Sequence, residues 1–249
     1  MPELFRHQHR FVGRLAVRRV PRLEPGDAGR GGSEVLLVTH AWHDERLGRC
    51  PALADDGRCA IHAENKPLVC SIAPLDALVP DALQHRVLAQ RAREAAYLGA
   101  DCIAGSARDG FAPLVRRLHV VDLDAKRALA ARREALVLEK RFWGTAVFRL
   151  LQSELFANPT ALAKIPPDGF MSLSLAPVIM VVAEASARCR ARCLEYLDAQ
   201  LVLAARLGLE DVVRTHSALR VALLARDPAA PAKPLAPGTE AWLGLTEAA

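Results

Sequence analysis

The sequence predicts a mainly helical fold, with a small extended N-terminal part and a cysteine-rich loop segment ahead of the helices. Three observations predict it. Aromatic residues make up only 5% of the 249-residue chain, whereas Ala, Leu and Arg abound, and those residue types favour helix over sheet. Beyond Pro113 the apolar residues recur at three-, four- and seven-residue spacing, the period of a helix buried on one face. Four of the six cysteines fall between positions 50 and 102, in a stretch broken by prolines and turn residues.

Residues 1 to about 45 read as extended. Phe11-Val-Gly-Arg-Leu-Ala-Val and Glu34-Val-Leu-Leu-Val are short β-prone runs, joined through the Gly-rich Glu24-Pro-Gly-Asp-Ala-Gly-Arg-Gly-Gly; they can pair as a hairpin with a long loop. The cysteine-rich segment follows, to about Ala104. From Ala125 to Phe156, Leu129, Leu136, Trp143, Val147 and Leu151 share one helical face, with Phe142, Trp143 and Phe148 expected in the core. Pro159, Pro166, Pro167 and Gly169 break that helix. A second is expected over Val178 to Leu207, closed by Gly208. A third, Leu209 to Arg226, opens on Glu210 and Asp211, which suit the helix dipole. Cys189 and Cys193, four apart and in line with Leu197 and Leu201, read as a core stripe. Asp227 to Gly238 is proline-rich and expected to be extended. The expected regions are therefore 1–104, 105–226 and a tail, 227–249.

Hydrophobic residues at 51% and charged residues at 24% are ordinary for a globular protein and exclude wholesale disorder. The longest apolar run, Leu173 to Ala183, is interrupted by Ser174 and Pro177, far short of the roughly 20 residues that span a bilayer. The first ten residues lack the apolar stretch of a secretory signal, so a cytoplasmic protein without a membrane partner is expected. The formal charge is +5, but Lys and Arg are scattered among acids. The densest groups, Arg116-Arg117 and Arg188-Cys-Arg-Ala-Arg192, read as solvated helix faces. A basic stripe with interleaved aromatics is absent, so no nucleic-acid partner is expected. The sequence contains no G-x-S-x-G, P-loop, G-x-G-x-x-G or H-E-x-x-H pattern, and leaves enzyme activity undecided.

In a reducing compartment a group of thiols reads as metal binding or catalysis before it reads as disulfides. Asp56-Gly57 is a strong reversing signal that folds Cys50 and Cys59 back toward each other. Pro67 suits the start of a short helix and places Cys70 in its opening turns, with Pro74 ending it. Asp81 can cap the next helix, which runs through Tyr97 to Gly99, with Cys102 just beyond.

Cys50-Pro51, Asp56-Gly57-Arg58-Cys59, Ile61-His62 and Lys66-Pro67-Leu68-Val69-Cys70, followed by Pro74, resemble the YkgJ-like (CxxCxxCC) family of zinc- or iron-chelating proteins. The likeness covers Cys50 to Pro74, a tenth of the chain. It implies a metal centre on Cys50, Cys59 and Cys70 without naming the metal. The family's upstream cysteine group is missing here, and His40 and His43 stand in its place. Cys102 is then the best fourth ligand; failing it, the site has three thiolates and an open position, or a histidine completes it. The gaps between the four cysteines are eight, ten and thirty-one residues. Zinc sites usually pair cysteines two to four residues apart, so wide spacing favours a bulkier [4Fe–4S] cluster. A structural Zn2+ site is the alternative.

Two functions follow as expectations. The cluster is redox-active or holds a small-molecule substrate, or else a metal staples a module that docks a protein or peptide partner. His62 is a donor to a cysteine sulfur or a solvent-facing residue. Three long helices offer a surface for a homodimer.

Overall fold

The computed structural model describes residues 1–21, 33–42, 50–56, 58–62, 66–97, 112–166, 169–226 and 238–245. The chain is mainly helical with a small antiparallel sheet. It divides into two compact units, one made of Met1–Arg19, Val35–Ala60 and Leu138–Ala249, the other of Val20–Glu34 and Ile61–Val137.

In the first unit, the N-terminus is helical where an extended chain is expected. Pro2 fixes the first turn of α1 (Pro2–Arg6) and Glu3 suits its dipole. Met1, Leu4 and Phe5 turn inward. Arg192, read from sequence as part of a solvated face, instead clamps α1: its Nη2 donates to the Phe5 carbonyl at 3.0 Å and its guanidinium lies 4.8 Å from the Phe5 ring centre. The Met1 ammonium and the Thr39 hydroxyl both donate to buried Glu139, at 2.9 and 3.0 Å.

Two longer strands than expected, β1 (Val12–Pro21) and β2 (Ser33–Trp42), lie side by side. A third strand, Phe170–Leu173, pairs antiparallel with β1 on its other edge, Leu15 facing Leu173 and Arg18 facing Phe170. Side chains alternate across a strand, so Leu15 and Val17 are fully buried while Arg14 and Arg18 are half-buried on the opposite face. Gly13, the second residue of β1, sits where only a glycine fits, because a Cβ there would collide with the buried Tyr196 hydroxyl.

The expected long helix begins as α4 (Leu123–Glu139) and continues through a π-turn (Lys140–Gly144), α5 (Thr145–Leu151) and a second π-turn (Gln152–Phe156). In each π-turn an N–H reaches back five residues, Thr145 to Lys140 and Ala157 to Gln152. Trp143, Val147 and Phe142 are buried. Phe148 is not: it is 41% exposed and stacks on Phe156 at 4.6 Å. Asn158 then caps α6 (Pro159–Ala163), accepting from the Thr160 and Ala161 N–H groups.

With β5 (Phe170–Leu173) in place, the single helix expected over Val178 to Leu207 is two helices, α7 (Ala176–Ala183) and α8 (Ala187–Arg206). Ser186 divides them: its backbone is extended and its hydroxyl accepts the Cys189 N–H at 3.1 Å, a side-chain cap that starts a new helix. Gly208, with φ of +67°, ends α8 as expected. The Leu209 N–H returns to Ala204 and the Gly208 N–H to Ala205, a Schellman closure. α9 (Glu210–Leu224) follows. Cys189 and Cys193 lie fully buried in the core these helices form with Leu15, Trp143 and Tyr196. Beyond the stretch expected to be extended, α10 (Thr239–Trp242) stacks Trp242 on Phe142 at 4.8 Å, and Leu243 is buried. Residues 227–237 lie outside the described ones.

In the second unit, Ile72, Leu75, Ala77, Val120 and Leu129 form the core. It joins α2 (Leu68–Ser71), a 3₁₀ turn (Asp81–Leu83), α3 (Gln84–Tyr97) and the two-residue strands β3 (Val115–Arg116) and β4 (His119–Val120) to α4. Among the described residues no helix is long and apolar enough to cross a membrane.

Candidate metal centre

The segment carrying Cys50 and Cys59 reverses as the sequence predicts. The Asp56 carboxylate accepts the Arg58 N–H at 2.9 Å, the local bond that initiates such a turn. Ala54 N–H then meets the Arg58 carbonyl and Ala60 N–H the Ala52 carbonyl, both at 2.8 Å, so Cys59 lies opposite Leu53. The Leu53 N–H closes a further turn onto the Cys50 carbonyl at 2.9 Å. Cys50 is exposed and Cys59 half-buried. Gly57 lies outside the described residues.

Cys70 belongs to the second unit. Pro67 precedes α2 and accepts N–H bonds from Cys70 and Ser71 at 2.9 and 3.0 Å. The helix ends at Ser71, ahead of Pro74, and Cys70 is half-buried. Ile72 and Leu75 then anchor the chain in that unit's core.

Two side chains that the sequence does not single out hold the next stretch. Buried Gln84 accepts the Asp76 N–H at 3.1 Å and donates to the Asp76 and Val79 carbonyls at 2.7 and 2.8 Å. Arg133 donates to the Ala77 and Val79 carbonyls and to the Asp81 carboxylate, at 3.2, 3.1 and 2.6 Å. Asp81, expected as a helix cap, is therefore an ion-pair partner instead. A cavity of about 370 Å³ opens beside this stretch, lined by Ser71, Ile72, Pro74 and Leu75 with Asp122 and Ala125.

The cysteines fall into two chemical classes. Burial pushes the Cys189 and Cys193 thiols up from their ordinary values, and the Cys193 Sγ faces the Ile179 carbonyl at 3.8 Å. These are core thiols, as their spacing predicts. Cys50, Cys59 and Cys70 sit on turns or a helical turn and reach solvent, where their sulfurs are open to a soft metal. Their chemistry fits thiolate ligation. Among the described residues no three His, Cys, Asp or Glu side chains lie together as a metal-holding group. Cys102 and His43 lie outside the described residues.

His62 is exposed. His40, on β2, is engaged elsewhere: its Nε2 is 3.4 Å from the Ser172 hydroxyl and its ring meets Phe170 edge-on at 5.5 Å. Burial lowers its pKa, a hydrogen bond with the Ala41 backbone raises it, and the Arg14 and Arg18 charges lower it further.

Compared with known proteins, the chain matches no family model, no curated protein and no solved structure. The resemblance of Cys50 to Pro74 to the YkgJ-like family thus stands on those residues alone.

Proposed function

We propose that this protein binds a [4Fe–4S] cluster through Cys50, Cys59, Cys70 and Cys102, and uses it for electron transfer or for holding a substrate. The observation that carries the reading is the reversal at Asp56, which folds the chain between two solvent-reaching cysteines while the other pair is sealed in a core. Ligands on turns and helix ends, far apart in sequence, suit a bulky cluster. When bound, a cluster supplies one-electron chemistry or an open iron position. The protein's own part is to fix Cys70: Gln84 and Arg133 pin the backbone at Asp76 to Val79, and Ile72 and Leu75 bury the turn between. The cavity that begins at Ser71 offers space for a small substrate next to Cys70.

A second reading is favoured by the apolar residues beside the cysteines. Leu53, opposite Cys59, is 36% exposed and Val69, beside Cys70, is 54% exposed. A structural Zn2+ at the same cysteines would staple this loop-rich stretch so that it docks a protein or peptide.

Anaerobic purification with iron, sulfide and zinc analysis and a visible spectrum separates the two. A brown protein with a broad visible band that bleaches on reduction, and loses it in Cys59→Ser, supports the cluster. A colourless protein holding one zinc overturns the cluster and supports the staple. Cys59→Ser should then melt the local fold, because zinc binding energy is folding energy. An anaerobic preparation that holds neither iron nor zinc would overturn both readings.

A further inference from the structure

The face of the sheet opposite Leu15 and Val17, where Val12, Ala16 and Val38 are buried, brings the histidine of Thr39-His40 together with two arginines, away from the candidate metal ligands. Arg14 and Arg18 are four apart on β1, so both project from the same face with Ala16 between them. The register sets Ala16 opposite Ser172 and Arg18 opposite Phe170. β1 lies between β2 and β5, so a β2 side chain meets one from β5 only by crossing over β1. His40 does so. Its Nε2 comes within 3.4 Å of the Ser172 hydroxyl, a reach that the small Ala16 side chain permits and that leaves Ala16 only 2% exposed. The imidazole therefore crosses β1 near Ala16 with a hydroxyl ahead of it, and Arg14 and Arg18, two residues to either side of Ala16, are near enough for their charges to act on it. Ser172 and Phe170 are exposed, and Arg14 holds Asp211 at 2.9 Å through one Nη.

We infer that this face binds a phosphate-type oxyanion, held by Arg14 and Arg18 with the His40 imidazole and the Ser172 hydroxyl as the shorter-range partners. Guanidinium groups match the geometry of phosphate oxygens and give the stronger, charge-assisted hydrogen bonds. A tetrahedral anion presents acceptor oxygens in several directions and so meets donors converging from two arginines and a hydroxyl, whereas a carboxylate's acceptor sites lie in one plane. The Phe170 ring, 55% exposed and already edge-on to His40, adds an apolar wall for whatever carries the phosphate. An anion here would also counter the arginine charges that disfavour imidazolium at His40.

The test is a titration of the full chain with inorganic phosphate, followed by the His40 imidazole resonances, which are assigned by their loss in His40→Gln. Saturable movement, with the His40 pKa raised at saturation, is expected. Arg18→Gln should weaken binding about tenfold or more, and Ser172→Asp, at an exposed strand position, should abolish it. Arg127→Gln, in the other unit, should leave it unchanged. Phenyl phosphate binding severalfold tighter than phosphate would identify the ligand as a phosphomonoester with an aromatic body, and equal binding would identify the free ion; both support the site. No saturable movement of His40 would overturn it, as would binding that Ser172→Asp leaves intact. If Arg18→Gln fails to fold, Ser172→Asp alone decides.

Discussion

Replacing Gln200 with Met should cost about 2–5 kcal/mol of stability, and the estimate follows from three hydrogen bonds. Gln200 is fully buried on α8. Its Oε1 accepts the Gly13 N–H at 2.9 Å, and its Nε2 donates to the Gln8 and Phe11 carbonyls at 2.6 and 3.0 Å. One side chain thus serves the backbone at the point where α1 hands over to β1. Methionine keeps the length and the helix propensity but orphans all three groups. A buried donor or acceptor left alone costs about 1–3 kcal/mol. The Gly13 and Phe11 groups are buried and should pay in full, whereas the Gln8 carbonyl is part-buried and recovers some hydration. The gain from burying a thioether in place of an amide, about 1 kcal/mol, offsets part of this. All three tryptophans, Trp42, Trp143 and Trp242, belong to the first unit, so urea unfolding followed by fluorescence reads the affected unit directly. Gln200→Glu sharpens the test. It keeps an acceptor for Gly13 but turns an anion toward two carbonyls, so its folded-state pKa is raised. Its stability should be greatest in acid, where the carboxyl is protonated, and fall as pH rises through that pKa. A loss below about 1 kcal/mol for Gln200→Met, or no pH dependence for Gln200→Glu, would refute the account.

Two further outcomes are expected. Burial, with the Arg14 charge against it and Asp211 in its favour, lowers the His216 pKa from 6.5 to about 4. The unfolded chain therefore takes up a proton that the fold refuses, and stability should drop as pH falls from about 6.5 toward 4, by about 3 kcal/mol in all. Denaturation curves across that range should show the slope, and His216→Leu should flatten it. In thiol labelling of metal-free protein read by mass spectrometry, Cys50, Cys59 and Cys70 should react at once and Cys189 and Cys193 only on unfolding; equal rates would count against the buried pair.

What could be read from the sequence was mostly local. The third long helix shows itself through Glu210 and Asp211 at its start and Gly208 just before it, and the turn at Asp56 through its own side chain. The break at Ser186 does not show in the apolar spacing of Val178 to Leu207; it is made by the Ser186 hydroxyl accepting the Cys189 N–H on an extended backbone. α1 and α10 are too short for periodicity to register. They exist because Arg192 grips one and Phe142 stacks on the other, contacts between residues 187 and 100 positions apart. The strand β5 pairs with residues some 150 positions earlier, and its four residues carry no signal of their own. At the candidate centre the turn and the short helix after Pro67 were legible, while Gln84 and Arg133 were not, because what they do is decided by which carbonyls the fold brings to them.

The two π-turns bear on how this protein tolerates changes of length. Helices ordinarily resist insertion and deletion, since one residue more or fewer turns everything downstream by about 100°. A π-turn holds one residue beyond what an α-turn needs. Dropping a residue at exposed Lys140 or Arg141 would let Lys140–Gly144 close into α geometry with Val147 and Leu151 still facing the core. The same loss between Leu129 and Leu136 would put those two, both packed in the second unit's core, on different faces of α4. Homologous chains one residue shorter are therefore expected to lose that residue at these two points of the helix, and to keep its buried stripe.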